Sequence, residues 1–250
     1  MDLHLSGRTA LVTGGANGVG REIALALAAE GAAVAVNYRS SAADAQAVAA
    51  EIVAKGGKAI VCGADVSDFD GVKAMVARVA GEFGGLDILV NNAGAAQRQR
   101  FGETTPQDWR RQIDTCLYGA IHCCHAAAPY LEKSGSGRII SLIGDSSRIG
   151  ESGLAIVAAA RAGVIGLSKS LAREFGRFGT TVNVISLGLV ETAHDRDWVE
   201  ANRDKLVRLY PLRRLGQPGD VAPIVALLAS DHAGWITGQV LSISGGYSMV

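Results

Sequence analysis

Thr9-Ala10-Leu11-Val12-Thr13-Gly14-Gly15-Ala16-Asn17-Gly18-Val19-Gly20 decides the fold. A short apolar strand runs into a glycine-rich turn, and a helical run from Arg21 to Glu30 follows, closed by Gly31. The glycines fall at 14, 18 and 20, as G-x-x-x-G-x-G rather than G-x-G-x-x-G. The physics of the two patterns is the same. Backbone without side chains can approach a pyrophosphate closely, and a helix N-terminus favours its negative charge. A tight turn that binds nothing would look similar in isolation. Here the turn follows a strand, opens a helix and begins a βαβ unit, which favours a dinucleotide site. Gly14, Asn17, Gly18, Val19 and Gly20 are its candidate residues.

Outward from this turn, strand and helix alternate to the end of the chain. Strands are expected at 33–37, 58–63, 86–90, 138–143, 181–185 and 239–243. Helices are expected at 42–55, from an N-cap at Ser67 to Phe83, from Thr105-Pro106 to about Lys133, over 154–178 and over 220–229. Consecutive apolar strands separated by helices imply a parallel sheet covered on both faces. The expected fold class is α/β: a single domain over 1–250, a Rossmann-type doubly wound parallel sheet of about seven strands. Ligands on such sheets bind at the carboxyl ends of the strands.

Composition agrees. The chain has 250 residues, 48% hydrophobic and 19% charged, enough to bury a core without staples. Lys plus Arg number 24 and Asp plus Glu 24, which argues against a nucleic-acid or phospholipid-surface binder. No run of 18 apolar residues and no signal peptide is read, so a membrane span is not expected and the cytoplasm is the default. The four cysteines show neither a disulfide framework nor zinc spacing. His122-Cys123-Cys124-His125 places two imidazoles three apart on a helix, but packing is the stronger reading, and no metal site is assigned.

A NAD-preferring site usually carries Asp or Glu about 20 residues beyond the glycines. This chain has Asn37-Tyr38-Arg39-Ser40-Ser41 there. With no acid and a cation at hand, a 2′-phosphate is better tolerated. NADP(H) is therefore expected over NAD(H), with Arg39 and Ser40 on the phosphate.

The chain resembles the short-chain dehydrogenase/reductase family, of the β-ketoacyl-carrier-protein reductase and glucose dehydrogenase type. The resemblance covers nearly all of the sequence. It rests on Thr13 to Gly20, Asp65-Val66, Asn91-Asn92-Ala93-Gly94, the run Pro211 to Val221, Leu228 to Asp231, and Ile236 to Leu241 with Gly245-Gly246. It implies adenine contacts from Asp65 and Val66, cofactor-side backbone from Asn91, Ala93 and Gly94, and Thr192 near the carboxamide. It also implies a tetramer built through the two long helices and the C-terminal segment.

The same resemblance implies an Asn, a Ser and a Tyr-x-x-x-Lys as catalytic residues, working by general acid–base catalysis beside an oriented cofactor. Read without gaps, the Asn slot holds Cys116, the Ser slot Gly144, the Tyr slot Val157 and the Lys slot Arg161. No Tyr-x-x-x-Lys occurs in any register. Val157 cannot carry a proton. Arg161 keeps a cation beside the ribose but cannot relay one. Polar residues nearby include Asp145, Ser146, Ser147, Arg148, Glu151, Arg98, Arg100, Glu191, His194 and Asp195. Asp145 and His194 are the candidate substitute acid/bases, against the plainer reading of solvated loop polars.

By family, then, the chain is an NAD(P)-dependent oxidoreductase. By its catalytic slots it reads as a redox-silent or strongly impaired member, suited to be a non-catalytic subunit of a hetero-oligomer; the expected assembly is a homo- or hetero-tetramer of family-type subunits. Two alternatives stand beside this. One is an enzyme turned to elimination, isomerisation or cyclisation. The other is an NADPH-dependent carbonyl reductase or alcohol dehydrogenase using substitute residues.

Overall fold

In the computed structural model, residues 2–192 and 196–250 are described. The chain alternates as read: β1 (Thr9–Val12), α1 (Gly18–Ala29), β2 (Ala33–Tyr38), α2 (Ala42–Ala54), β3 (Lys58–Gly63), α3 (Phe69–Phe83) and β4 (Ile88–Asn91). Then come α4 (Pro106–Ile113), α5 (Gly119–Ser134), β5 (Arg138–Gly144), α6 (Ser146–Ile149), α7 (Ala155–Phe175), β6 (Thr181–Leu187), α8 (Arg196–Arg208), α9 (Pro218–Ala229) and β7 (Val240–Ile243).

The seven strands form one sheet in the order β3-β2-β1-β4-β5-β6-β7, every pair parallel. The order reverses between β1 and β4, which opens a crevice at their carboxyl ends. Both faces of the sheet are dry. On one, Ala10, Val12, Val34 and Val36 pack against Ile23 and Leu27 of α1 and Val221 and Val225 of α9. On the other, Leu11, Ala35 and Leu89 pack against Val72 and Val76 of α3 and Cys123 and Ala127 of α5. Alternate residues of β1 therefore serve opposite faces, as a doubly covered strand requires.

Three expectations need correction. The cap of α3 is Asp68, whose side chain accepts from Asp70 N–H, not Ser67. Ser67 is already engaged, because its N–H and hydroxyl both donate to Asp65. The single helix expected over 105–133 is two helices joined by a π turn, Asp114–Tyr118. The capping box of Thr105 and Asp108 starts α4 as the Pro106 signal implied. Two helices are not expected from the sequence: α6, which begins directly after Asp145, and α8, beyond β6. By length and composition alone, α7 with the turn after it could cross a membrane. It lies instead along β5 and β6, with Val157, Ala160, Val164, Ser168 and Ala172 buried.

Candidate nucleotide and active site

The glycine turn is held by polar side chains that arrive from other strands. Thr13 Oγ1 donates to Val90 O and accepts from the N–H groups of Asn92 and Ala93. Asn92 Nδ2 donates to the carbonyls of Thr13 and Gly14, both at 3.0 Å. Asn37 is 2% exposed; its Oδ1 accepts from Gly14 N–H, while Nδ2 donates to Cys62 O and Ala64 O. Sequence reasoning missed all three as turn-holding residues. The available signal was their polarity at the ends of otherwise apolar strands, where a side chain must serve backbone rather than core.

The turn fits a phosphate-bearing ligand. Gly14 and Gly18 have φ of +60° and +51°. A Cβ on Gly20 would collide with the Gly14 carbonyl and stand 2.5 Å from Asn92 Nδ2. The N-terminus of α1 is left open, since Asn17 makes no side-chain cap bond and no acidic residue stands in the first turn. Open N–H groups and a helix dipole are what an anion needs.

Around this turn lies a cleft of about 820 Å³. It is lined by Gly14, Asn17, Gly18, Val19 and Gly20, by Asn92, Ala93 and Gly94, and by Gly144, Arg161 and Thr192. A side compartment of about 180 Å³ is lined by Arg39, Ser40, Asp65 and Val66, together with Asn37 and Tyr38. The structure thus gathers the nominated cofactor residues into two adjoining spaces, with one exception. Asn91 is 7% exposed, and its Nδ2 donates to Ser141 Oγ inside the fold. Asn92 faces the cleft in its place. Arg39 lies 3.8 Å from Asp65, and its side chain is 61% exposed. Burial pushes the Asp65 carboxyl up, but the Ser67 N–H and hydroxyl and the Arg39 charge outweigh it and hold the group below its ordinary value.

Of the four positions read as catalytic slots, Gly144 and Arg161 line the cleft, and Cys116 shares a small pocket with Arg161. Cys116 sits in the π turn; its thiol donates to Ala95 O at 3.3 Å and accepts from Ala95 N–H at 3.4 Å. Val157 is 1% exposed and packs with Cys116, Ala160, Ile113, Leu117 and Leu154. Arg161, one turn on, reaches past Gly94 and Gly144. Among the described residues no tyrosine lines this cleft. Tyr210 is buried elsewhere, stacks on Tyr247 at 5.2 Å, and its hydroxyl accepts from Leu189 N–H. Burial pushes that phenol above its ordinary value.

The substitute acid/bases are not placed there. Asp145 is 2% exposed and turns back to β6, where its Oδ1 accepts from Ser186 Oγ at 2.5 Å. It does not line the cleft. His194 and Asp195 lie outside the described residues. Glu191 is bound by Arg203 and by Gln217 Nε2. Arg98 pairs with Glu151 at 2.5 Å and lies over the Trp198 ring at 5.2 Å, tying α8 to the loop before α7. The two histidines of the His-Cys-Cys-His run both pack on Phe69, and His122 Nδ1 meets Val66 O at 2.9 Å. Burial pushes the Cys124 thiol up to about 12 and Cys123 higher still, so neither is a ready nucleophile.

The comparisons with known proteins decide the family. The family profile described as Enoyl-(Acyl carrier protein) reductase matches residues 14–248. The chain belongs to the short-chain dehydrogenase/reductase family. It is 43% identical over 242 residues to 3-oxoacyl-acyl-carrier-protein reductase FabG of Staphylococcus aureus, covering 97% of this chain and 98% of that one. A short chain dehydrogenase from Burkholderia cenocepacia, solved in complex with NADP, superposes with a TM-score of 0.92 at 38% identity, covering 98% and 99% of the two chains. A dehydrogenase/reductase from Sinorhizobium meliloti superposes with a TM-score of 0.92 at 36% identity, covering 99% and 98%. The oxidoreductase family and the Rossmann-type fold therefore stand together, and nicotinamide cofactor binding goes with them.

Proposed function

We propose that this short-chain dehydrogenase/reductase homologue binds NADP(H) in the cytoplasm but reduces carbonyl compounds close to background. Its role is then that of a cofactor-holding, non-catalytic subunit in a tetramer of family-type chains. One observation carries the reading: the helix position that would offer a phenol to the cleft is Val157, sealed at 1% exposure among apolar neighbours. A positioned acid/base is worth about 10²–10⁴ in rate. Arg161 holds charge beside the ribose end of the cleft, and an arginine does not relay protons.

The nucleotide supplies hydride when bound. The chain's own part is to seat the pyrophosphate on the Gly14–Gly20 turn, to hold the ribose side with Arg161, and to meet a 2′-phosphate with Arg39 and Ser40. A second reading, a working carbonyl reductase, is favoured by the 43% identity to a 3-oxoacyl-acyl-carrier-protein reductase over 97% of the chain. Nicotinamide fluorescence with NADPH, run beside turnover on acetoacetyl thioesters and small ketones, separates the two. Binding without turnover is expected. Brisk turnover by the pure homomeric chain overturns the silent reading.

Cofactor preference has its own test. Charge-assisted hydrogen bonds to phosphate contribute about 1.5–3 kcal/mol, or roughly ten- to a hundred-fold in affinity. The exposed contact of Arg39 with Asp65 at 3.8 Å opposes this little. Arg39→Ala should therefore weaken NADPH binding at least about ten-fold and leave NADH within a factor of about two. Equal losses for both nucleotides would remove Arg39 from the 2′-phosphate.

A further inference from the structure

The cations that line the cleft differ in one respect. Arg21 is engaged by Glu22 and by Glu51, the latter at 2.5 Å. Arg161 is half-buried, yet among the described residues it makes no ion pair and no hydrogen bond. Among the described residues no carboxylate pairs with it; Glu51, which lines the same cleft, is engaged by Arg21 and Lys55. Cys116 gives its thiol hydrogen to Ala95 O, and Leu142 and Val164 are apolar. Asp145, just after β5, accepts from Ser186 through Oδ1 and does not line the cleft. A half-buried cation without a counter-charge is costly, and structures normally pair it.

The guanidinium is also left uncovered. Its Nη2 lies 2.7 Å from where a Gly94 Cβ would stand, and its Nη1 3.4 Å from where a Gly144 Cβ would stand. Two glycines thus make room for the planar head and leave its edge open to the cleft. An ammonium in that place would be a point charge, whereas the fork of a guanidinium matches two oxygens at once. A ribose diol is neutral and would leave this charge uncompensated.

We propose that Arg161 anchors an oxyanion site beside Gly94 and Gly144 in the cleft, which takes the carboxylate of a second, small ligand beside the nucleotide. This rests on the reading that the cleft holds NADP(H), but the site itself belongs to the chain alone.

The test is calorimetric titration of malonate into the protein saturated with NADP⁺, and separately into the protein alone. Wild type should bind malonate in both. Arg161→Met should lose at least about ten-fold in malonate affinity and Arg161→Lys should fall between, because it keeps charge without the fork. NADP⁺ affinity, which Arg161 also serves on the ribose side, should fall less than malonate affinity in both variants, with unchanged melting temperatures as the control for folding. The proposal is overturned if malonate fails to bind wild type, or binds Arg161→Met equally well. It is also overturned if Arg161→Met loses NADP⁺ affinity about ten-fold while malonate binding persists, since the guanidinium then serves the nucleotide's own phosphates. Failure of wild type to bind NADP⁺ would end the nucleotide reading and leave the malonate arm on the protein alone still decisive for Arg161.

Discussion

Gly20→Ala is expected to cost at least about 100-fold in NADPH affinity and to lower the melting temperature measurably, although it adds one methyl group. The added Cβ has nowhere to go. It would collide with the Gly14 carbonyl and stand 2.5 Å from Asn92 Nδ2. Those same atoms are hydrogen-bonded to each other, and Asn92 also holds the Thr13 carbonyl. Relief must come from backbone, so the turn opens where phosphate is to sit. Overpacking of this kind costs about 1–3 kcal/mol in stability. The contrast is Gly81, exposed on α3, where a Cβ would meet nothing within 4 Å. Gly81→Ala should be neutral or stabilising by up to about 1 kcal/mol and leave NADPH binding untouched. Equal nucleotide affinity for the two variants would show that the turn does not cradle the ligand.

The same contrast explains what the sequence made legible. Strand and helix periodicity, with glycine and proline as punctuation, located every strand of the sheet to within a few residues. Those signals are local. The π turn at Asp114–Tyr118 was invisible because its residues follow ordinary helical spacing, and only the backbone ladder changes. Helix α8 escaped because its pattern is thin: Val199 alone is buried among Arg196, Asp197, Glu200, Arg203, Asp204, Lys205 and Arg208. The cap of α3 could not be separated from its neighbour by residue type, as Ser67 and Asp68 are both good caps.

The polar frame of the site was illegible for a further reason. Asn92 holds carbonyls 78 and 79 residues away in sequence, and Asn37 serves Gly14 across 23. No spacing rule reaches from Asn92 back to the turn, and the rule that reaches Asn37 asks only for an acid. Asp145 shows the opposite failure. Its place at the carboxyl end of β5 suggested chemistry, but a carboxylate beside Ser186 satisfies a neighbouring strand instead. The relation of Val157 to Arg161 was legible because a helix carries its register rigidly. Residues 157 and 161, four apart, share one face of α7 whatever surrounds them.

That shared face permits a strong test of the proposal that the chain is silent. The quadruple variant Cys116→Asn, Gly144→Ser, Val157→Tyr, Arg161→Lys is expected to reduce acetoacetyl thioesters with NADPH about 10²–10⁴ times faster than wild type. Each change has room of a different kind. A Cβ on Gly144 would meet Arg161 Nη1 and Ser146 Oγ at 3.4 Å, ordinary contact that the shorter side chain introduced by Arg161→Lys relaxes further. Asn in place of Cys116 meets the carbonyl and N–H of Ala95, which the thiol already engages weakly at 3.3 and 3.4 Å. Val157→Tyr is the costly one. Its position is walled by Ile113, Leu117 and Leu154, so the phenol must swing toward the cleft, at about 1–3 kcal/mol of stability. Val157→Tyr by itself should gain far less, since an unactivated phenol has neither the ammonium nor the hydroxyl that make it useful. A quadruple variant that folds, binds NADPH as wild type does and still fails to turn over would locate the deficit elsewhere, in the substrate side of the cleft or in a missing partner. A wild type already as fast as the variant would mean that another group moves the proton.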